Sequence, residues 1–232
     1  MKVADNIPIE QAATLGVGIT TVAQGLYQNL GLPLPPAKVQ NQPWILIYGG
    51  STATGTIAIQ YAKLSGLKVV TTASPRNFAL LKDLGADLVF DYNEPDVGAK
   101  IRAATNDDLK LVFDTFSEGP SPGISAAAIS SKGGKHAAIL KREKFPRDDV
   151  ASSWTLAYTA FGEEYSPQFP ANEADAEFGT RFWAISEELV NSGKIRAHPP
   201  QVREGGLEGI AQGLKDLKEG KVSGVKLVYK IE

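Results

Sequence analysis

A chain of 232 residues can bury one large core or two modest ones, and 43% hydrophobic with 22% charged residues is the composition of an ordinary folded protein. Twenty-four basic residues against 26 acidic ones give a net charge of −2, so no bulk field draws the chain to nucleic acid or to an anionic membrane. It has no cysteine, which excludes disulfides and thiolate metal ligands; two histidines and no carboxylate cluster leave little with which to build a metal site.

The amino terminus lacks a cationic segment followed by an apolar core, and no stretch reaches the roughly 18 apolar residues of a membrane span. The expectation is a soluble, cytoplasmic protein. Pro8 to Leu30 reads as a helix, with Ala12, Ala13, Leu15, Val22 and Leu26 apolar and Gly31 as its stop. The proline-rich stretch "NLGLPLPPAKVQNQP" is an exposed connector. "WILIY" is then a buried-type strand, followed by a helix from Thr54 that Gly66 closes. "KVVTTA", "DLVFDY", "LKLVFDTF" and "KHAAIL" are further strands, alternating with the helices "RNFALLKDLG", "DVGAKIRAAT" and "PGISAAAISS".

Strands separated by helices and short turns predict right-handed crossovers and a doubly wound parallel α/β sheet, a Rossmann fold. Beyond it, "KREKFPRDD" reads as a mixed-charge loop and "WTLAYTAFG" as another strand. "DAEFGTRFWAISEELVNSG" is a long amphipathic helix with Phe178, Phe182, Trp183, Ile185 and Leu189 inward. "LEGIAQGLKDLKEGK" is a last helix, and "GVKLVYKIE" a last strand with no evident crossover partner. The expected organisation is a helical lead-in and connector over 1–41, the Rossmann domain over 42–195, and a C-terminal helix and strand over 196–232.

The chemistry begins at "IYGGSTATGTIAIQ", residues 47–60. A dinucleotide fold uses glycines for a tight strand-to-helix turn, for backbone approach to the pyrophosphate and for helix packing. Gly49 and Gly50 suit the turn, and Gly55 the packing. Ser51, Thr52 and Thr54 place hydroxyls where a middle glycine is usual; they can donate to phosphate while the helix start supplies free amides and positive dipole. The alternative is an ordinary glycine-rich turn without a ligand.

About 20 residues on, an NAD site carries an acid for the ribose hydroxyls, whereas this chain reads "TTASPRNF". Ser74 and Arg76 suit a 2′-phosphate and favour NADPH; otherwise Arg76 merely opens a helix. Tyr92, after Asp91 at a strand end, either stacks on adenine or caps the core. His136 reads as a packed strand residue, and His198, before two prolines, as an exposed loop residue. Glu163 and Glu164 are either an acid–base pair or a solvated one.

With "AATLGVGITTVAQGLY", "LIYGGSTATGTIAIQYAKLSGLKV", "TASPRNF", "LGADLVFDY" and "GKVSGVKLVY", the chain resembles the medium-chain dehydrogenase/reductase superfamily from about Asn6 to Lys230. "GGSTATG", "SPRNF" and "FGEEY" are most similar to the fungal trans-acting enoyl reductases of polyketide synthesis and their ToxD-like relatives. The resemblance implies NADPH contacts at Ser51, Thr52, Ala53 and Thr54, at Ser74, Pro75, Arg76 and Asn77, at Tyr92, at Ile139 and Leu140, and at Val222 and Ser223. It implies substrate contacts at Thr20 and Thr21 and along Phe161, Gly162, Glu163, Glu164 and Tyr165. Zinc-dependent members carry a cysteine where this chain has Val17, so the zinc-free branch is implied.

The implied reaction is reduction of an activated C=C bond in a small-molecule or carrier-bound enoyl thioester, with a polyketide synthase as partner. A non-catalytic NADPH-binding module and a quinone or alkene reductase are the alternatives. Relatives begin with a GroES-like domain that this chain is expected to lack, and the final strand is expected to belong with that domain. An open Rossmann sheet edge would allow a homo-oligomer.

Overall fold

The computed structural model describes residues 1–141 and 144–231. Strands β1 (Trp44–Tyr48), β2 (Lys68–Thr72), β3 (Leu88–Phe90), β4 (Leu109–Asp114), β5 (Gly134–Ala138) and β6 (Val150–Trp154) form one sheet in the order β3-β2-β1-β4-β5-β6. Every pairing is parallel. Helices α3 (Ala53–Leu64), α4 (Phe78–Asp83), α5 (Val97–Ala104) and α6 (Ser121–Ala128) lie between the first five strands. The strand order reverses between β1 and β4, which opens a crevice beyond their carboxyl ends.

The two-residue period of a strand sorts the core. In β1, Ile45 and Ile47 join one cluster with Ile57, Tyr61 and Phe182, while Leu46 and Tyr48 join another with Val97, Ile101 and Ile129. Both faces of the sheet are therefore covered, and "WILIY" is apolar at every buried position because neither face meets water.

On the first face lie α2 (Gly16–Val22), a π-helical segment (Ala23–Asn29), and the long helix α7 (Glu173–Asn191). Gly25 lets the π-helical segment rest on β4, since a Cβ there would fall 2.4 Å from the Phe113 ring. Tyr27, Tyr61 and Phe182 meet with ring centroids 5.1 to 6.4 Å apart. Each phenol keeps a partner, Tyr27 with Ser65 and Tyr61 with Ser186. Burial pushes the Tyr61 hydroxyl up to about 12.

The expected helix from Pro8 to Leu30 is divided into α1 (Ile9–Ala12), α2 and the π-helical segment, with Thr14 at the break donating to the carbonyls of Gln11 and His198. "WTLAYTAFG" is not a strand. β6 lies just upstream, and Ala157–Phe161 forms a 3₁₀ turn ended by Gly162 at φ 73°. β6 is the outer strand of the sheet, and two of its five residues are exposed serine and alanine, so its sequence carries no apolar run. Part of "KREKFPRDD", Arg142 and Glu143, lies outside the described residues, as does Glu232 of the last predicted strand.

The last strand does have a partner. β7 (Pro200–Arg203) pairs in parallel with β8 (Lys226–Tyr229), and α8 (Gly206–Lys218) connects them. Two adjacent prolines hide β7 in the sequence; only Val202 suggests a strand. α8 buries just Gly213 and leaves Leu207, Leu214 and Leu217 at least half exposed.

Phe182→Ala should lower stability by about 3–5 kcal/mol, because the ring is fully enclosed by Tyr27 and Tyr61. Urea titration of both proteins checks this, and a loss under 1 kcal/mol would contradict the packing described.

Candidate functional site: a dinucleotide crevice and an adjoining cavity

The turn after β1 is built by steric necessity. Gly49 adopts φ 77°. A Cβ on Gly50 would lie 2.1 Å from Thr71 Oγ1, and one on Gly55 would lie 2.3 Å from the Gly49 carbonyl oxygen. Only glycine lets α3 sit this close to the turn, and that close seat is the approach a pyrophosphate site requires.

The hydroxyls of the loop divide in role. Thr52 caps α3, its Oγ1 accepting from the Gly55 amide at 2.9 Å and lying 2.9 Å from Thr115 Oγ1. Thr115 in turn donates to the Tyr48 carbonyl at 2.7 Å, so Thr52 spends its proton on Thr115. This corrects the expectation that Thr52 offers a free donor to phosphate. Ser51 and Thr54 make no side-chain hydrogen bond among the described residues, and the Ala53 and Thr54 amides lack acceptors there. Those groups, together with the helix dipole, are of the kind that can receive an anion.

At the end of β2, Ser74 Oγ lies 3.1 Å from Tyr92 OH, and Arg76 is exposed with no ion pair among the described residues. Buried Asn77 donates to Ser223 Oγ at 2.9 Å, which brings the "SPRN" loop and Val222–Ser223 together. Tyr92 is 37% exposed and therefore does not cap the core.

The arrangement at the carboxyl end of β4, on one side of the crevice, was not anticipated. Asp114, fully buried, accepts from the amides of Phe116 and Ser117 and from Ser121 Oγ at 2.6 Å. Ser117 Oγ accepts from the Ile139 amide at 3.0 Å, which fixes the start of the Ile139–Leu140 segment. An acid followed by Thr at the carboxyl end of a central strand was the available signal.

The predicted substrate residues fall into two groups. Thr20 and Phe161 line a cavity of about 420 Å³ with Ala157, Ala160, Trp183 and Glu187. Trp183 Nε1 donates to Thr20 Oγ1 at 3.1 Å. Thr21 is turned away, donating to the Val17 carbonyl at 2.7 Å. Glu163 and Glu164 are exposed without ion pairs among the described residues, and Tyr165 stacks on Tyr158 with centroids 5.0 Å apart.

Both histidines are buried. His136 is packed in β5 against Phe145, as expected. His198 is not an exposed loop residue: it is 2% exposed, and its Nδ1 lies 2.9 Å from Thr56 Oγ1 in the first turns of α3. Its carbonyl accepts from Thr14, so the segment leading into β7 is tied both to the crevice helix and to the turn before α2.

A doubly wound sheet with a glycine-built turn at its switch point has the architecture of a dinucleotide-binding fold. The sequence pattern of the family described as "Zinc-binding dehydrogenase" matches residues 53–138. The chain is 61% identical over 231 residues to "Trans-enoyl reductase ACTTS2" of Alternaria alternata, covering 100% of this chain and 67% of that protein. It is 42% identical to "Trans-enoyl reductase resD" of Aspergillus sclerotiorum, covering 100% of this chain and 70% of the relative. Among solved structures, CurK enoyl reductase superposes with TM-score 0.78 at 20% identity, over 100% of this chain and 65% of the other.

The chain belongs to the trans-enoyl reductase family, and it spans about two thirds of the length of these relatives. The chain has no cysteine, and its described residues hold no group of three or more His, Cys, Asp or Glu placed for a metal, so they do not fit a zinc ion.

Burial holds His198 neutral, lowering its pKa from 6.5 to about 4. Between those values the unfolded chain binds the extra proton, so the stability His198 contributes is present above pH 6.5 and lost as pH falls towards 4. The loss should approach about 3 kcal/mol. Urea midpoints of the wild type and His198→Gln measured across this range should diverge at neutral pH and converge near pH 4; parallel profiles would contradict the assignment.

Proposed function

We propose that the chain binds NADPH in the crevice over β1 and β4 and forms the cofactor-holding part of an enoyl reductase. The family implies a nicotinamide cofactor. The observation that carries the choice of NADPH is Arg76, exposed beside Ser74 and without an ion pair among the described residues, in a segment after β2 (73–78) that contains no acid. A guanidinium there matches a 2′-phosphate in charge and planar geometry. Tyr92, half-exposed beside Ser74, offers a face for the adenine.

Ser51, Thr54 and the free amides of α3 hold the pyrophosphate, while Thr52 keeps the turn in shape. Ile139 and Leu140, fixed through Ser117, wall the nicotinamide end. When bound, the cofactor supplies a hydride to the β-carbon of an enoyl thioester, and a proton then joins the α-carbon. The acyl part lies in the cavity of Thr20, Phe161 and Trp183, and the exposed Glu163, Glu164 and Tyr165 that follow Phe161 contact the substrate outside it. The thioester carrier is small or belongs to a polyketide synthase, in keeping with relatives such as the "Lovastatin nonaketide synthase, enoyl reductase component" of Aspergillus terreus. Residues 42–195 act as the cofactor domain, and 196–232 as a separate lobe docked on it.

Titration of the chain with NADPH and NADH tests the cofactor. Arg76→Ala should weaken NADPH about 10-fold or more and leave NADH within about twofold, as loss of a charge-assisted bond predicts. Equal affinity for both cofactors in the wild type would overturn the choice. Oxidation of NADPH with a crotonyl thioester tests the reaction; binding without oxidation would overturn the reductase reading for this chain.

A further inference from the structure

A chain of hydrogen bonds stands behind the cavity wall, buried at Gln24 and Thr155 and reaching the surface at Gln28. Gln24, 4% exposed, lies on the second residue of the π-helical segment, which packs against β5 and β6. Its Oε1 accepts from Thr155 Oγ1, and its Nε2 donates to Thr159 Oγ1 at 2.9 Å. Thr159 donates to Asp175 Oδ2, and Asp175 Oδ1 accepts from Gln28 Nε2 at 3.0 Å.

The chemistry of the groups fixes the direction of this chain. A carboxylate only accepts, so the single Thr159 proton is directed to Asp175 in preference to the Leu156 carbonyl at 3.0 Å. Thr159 then has only a lone pair for Gln24, which must present its NH₂ group. The amide oxygen is left facing Thr155, whose proton it takes. One side chain thus pins the 3₁₀ turn at two points, just before it and within it.

The same turn delivers Ala157, Ala160 and Phe161 to the cavity. From the other side α7 closes on it so tightly that a Cβ on Gly179 would lie 3.0 Å from Ala160 Cβ. The wall is held between a hydrogen-bond chain and a direct helix contact.

We propose that Gln24 and Asp175 are positioning residues which lock the Ala157–Phe161 turn as the wall of the acyl site, so that the fit of an enoyl chain depends on them although neither lines the cavity. The proposal rests on the substrate reading given under Proposed function. It makes a prediction that packing alone does not. In Gln24→Glu the new carboxylate can still accept from Thr155 but has nothing to donate to Thr159, and two carboxylates then bracket one hydroxyl. Adding Asp175→Asn supplies an NH₂ to Thr159 and frees its proton for Glu at position 24, so the chain closes in the reverse direction.

The test measures the affinity of trans-2-hexenoyl-pantetheine in the presence of NADP⁺, with amide hydrogen exchange across residues 155–162. Q24E should weaken the thioester about 10-fold or more and speed exchange at Thr159 and Gly162, while NADPH affinity stays within about twofold. The Q24E/D175N double variant should recover both readouts to within about threefold of wild type. Absence of that recovery, or faster exchange with unchanged thioester affinity, would overturn the proposal while leaving the substrate reading intact. A wild-type chain that binds NADPH but not the thioester would overturn the substrate reading, and the positioning role with it.

Discussion

The contact between α3 and the turn that precedes it governs the arrangement of the molecule. With the Gly49 carbonyl 2.3 Å from where a Gly55 Cβ would stand, helix and turn meet as bare backbone. Side chains at these positions would drive α3 away from the sheet and take Ile57, Ile59 and Tyr61 out of the core on that face. The same closeness presents the first amides of α3 to the crevice. A packing constraint and a binding function are therefore met by one piece of geometry.

Thr52 shows how a departure from an all-glycine pattern is accommodated. Its side chain takes up the Gly55 amide and ties the turn to Thr115, just past the end of β4. A glycine there would leave that amide without its cap and lose the tie between β1 and β4. The loop gives up some backbone freedom and gains a fixed shape before any ligand arrives.

Much of this was legible in the sequence, and the failures share a cause. The central strands could be read because burial on both faces makes them continuously apolar, and the helices because Gly31, Gly66 and Gly85 end them at positive φ. The glycine turn could be read because the close seat of α3 leaves no room for side chains at Gly50 and Gly55. β6 and β7 were missed because an outer strand and a two-stranded sheet bury too little to impose an apolar pattern. His198 was misread because proline neighbours suggest a loop, whereas its burial arises from α3, 142 residues away in sequence. Gln24, Thr155, Thr159 and Asp175 carry no local signal, since polar residues that pair across such separations look individually like surface residues.

The small β7–β8 sheet touches the crevice at two remote places. His198 reaches Thr56 in the first turns of α3, and Ser223 receives Asn77 from the loop after β2. A ligand that draws these two places together must, by reciprocity, hold the small sheet more firmly against the larger one. The carboxyl-terminal lobe is thus held to the larger sheet at two separate points, which resists its turning about either one alone.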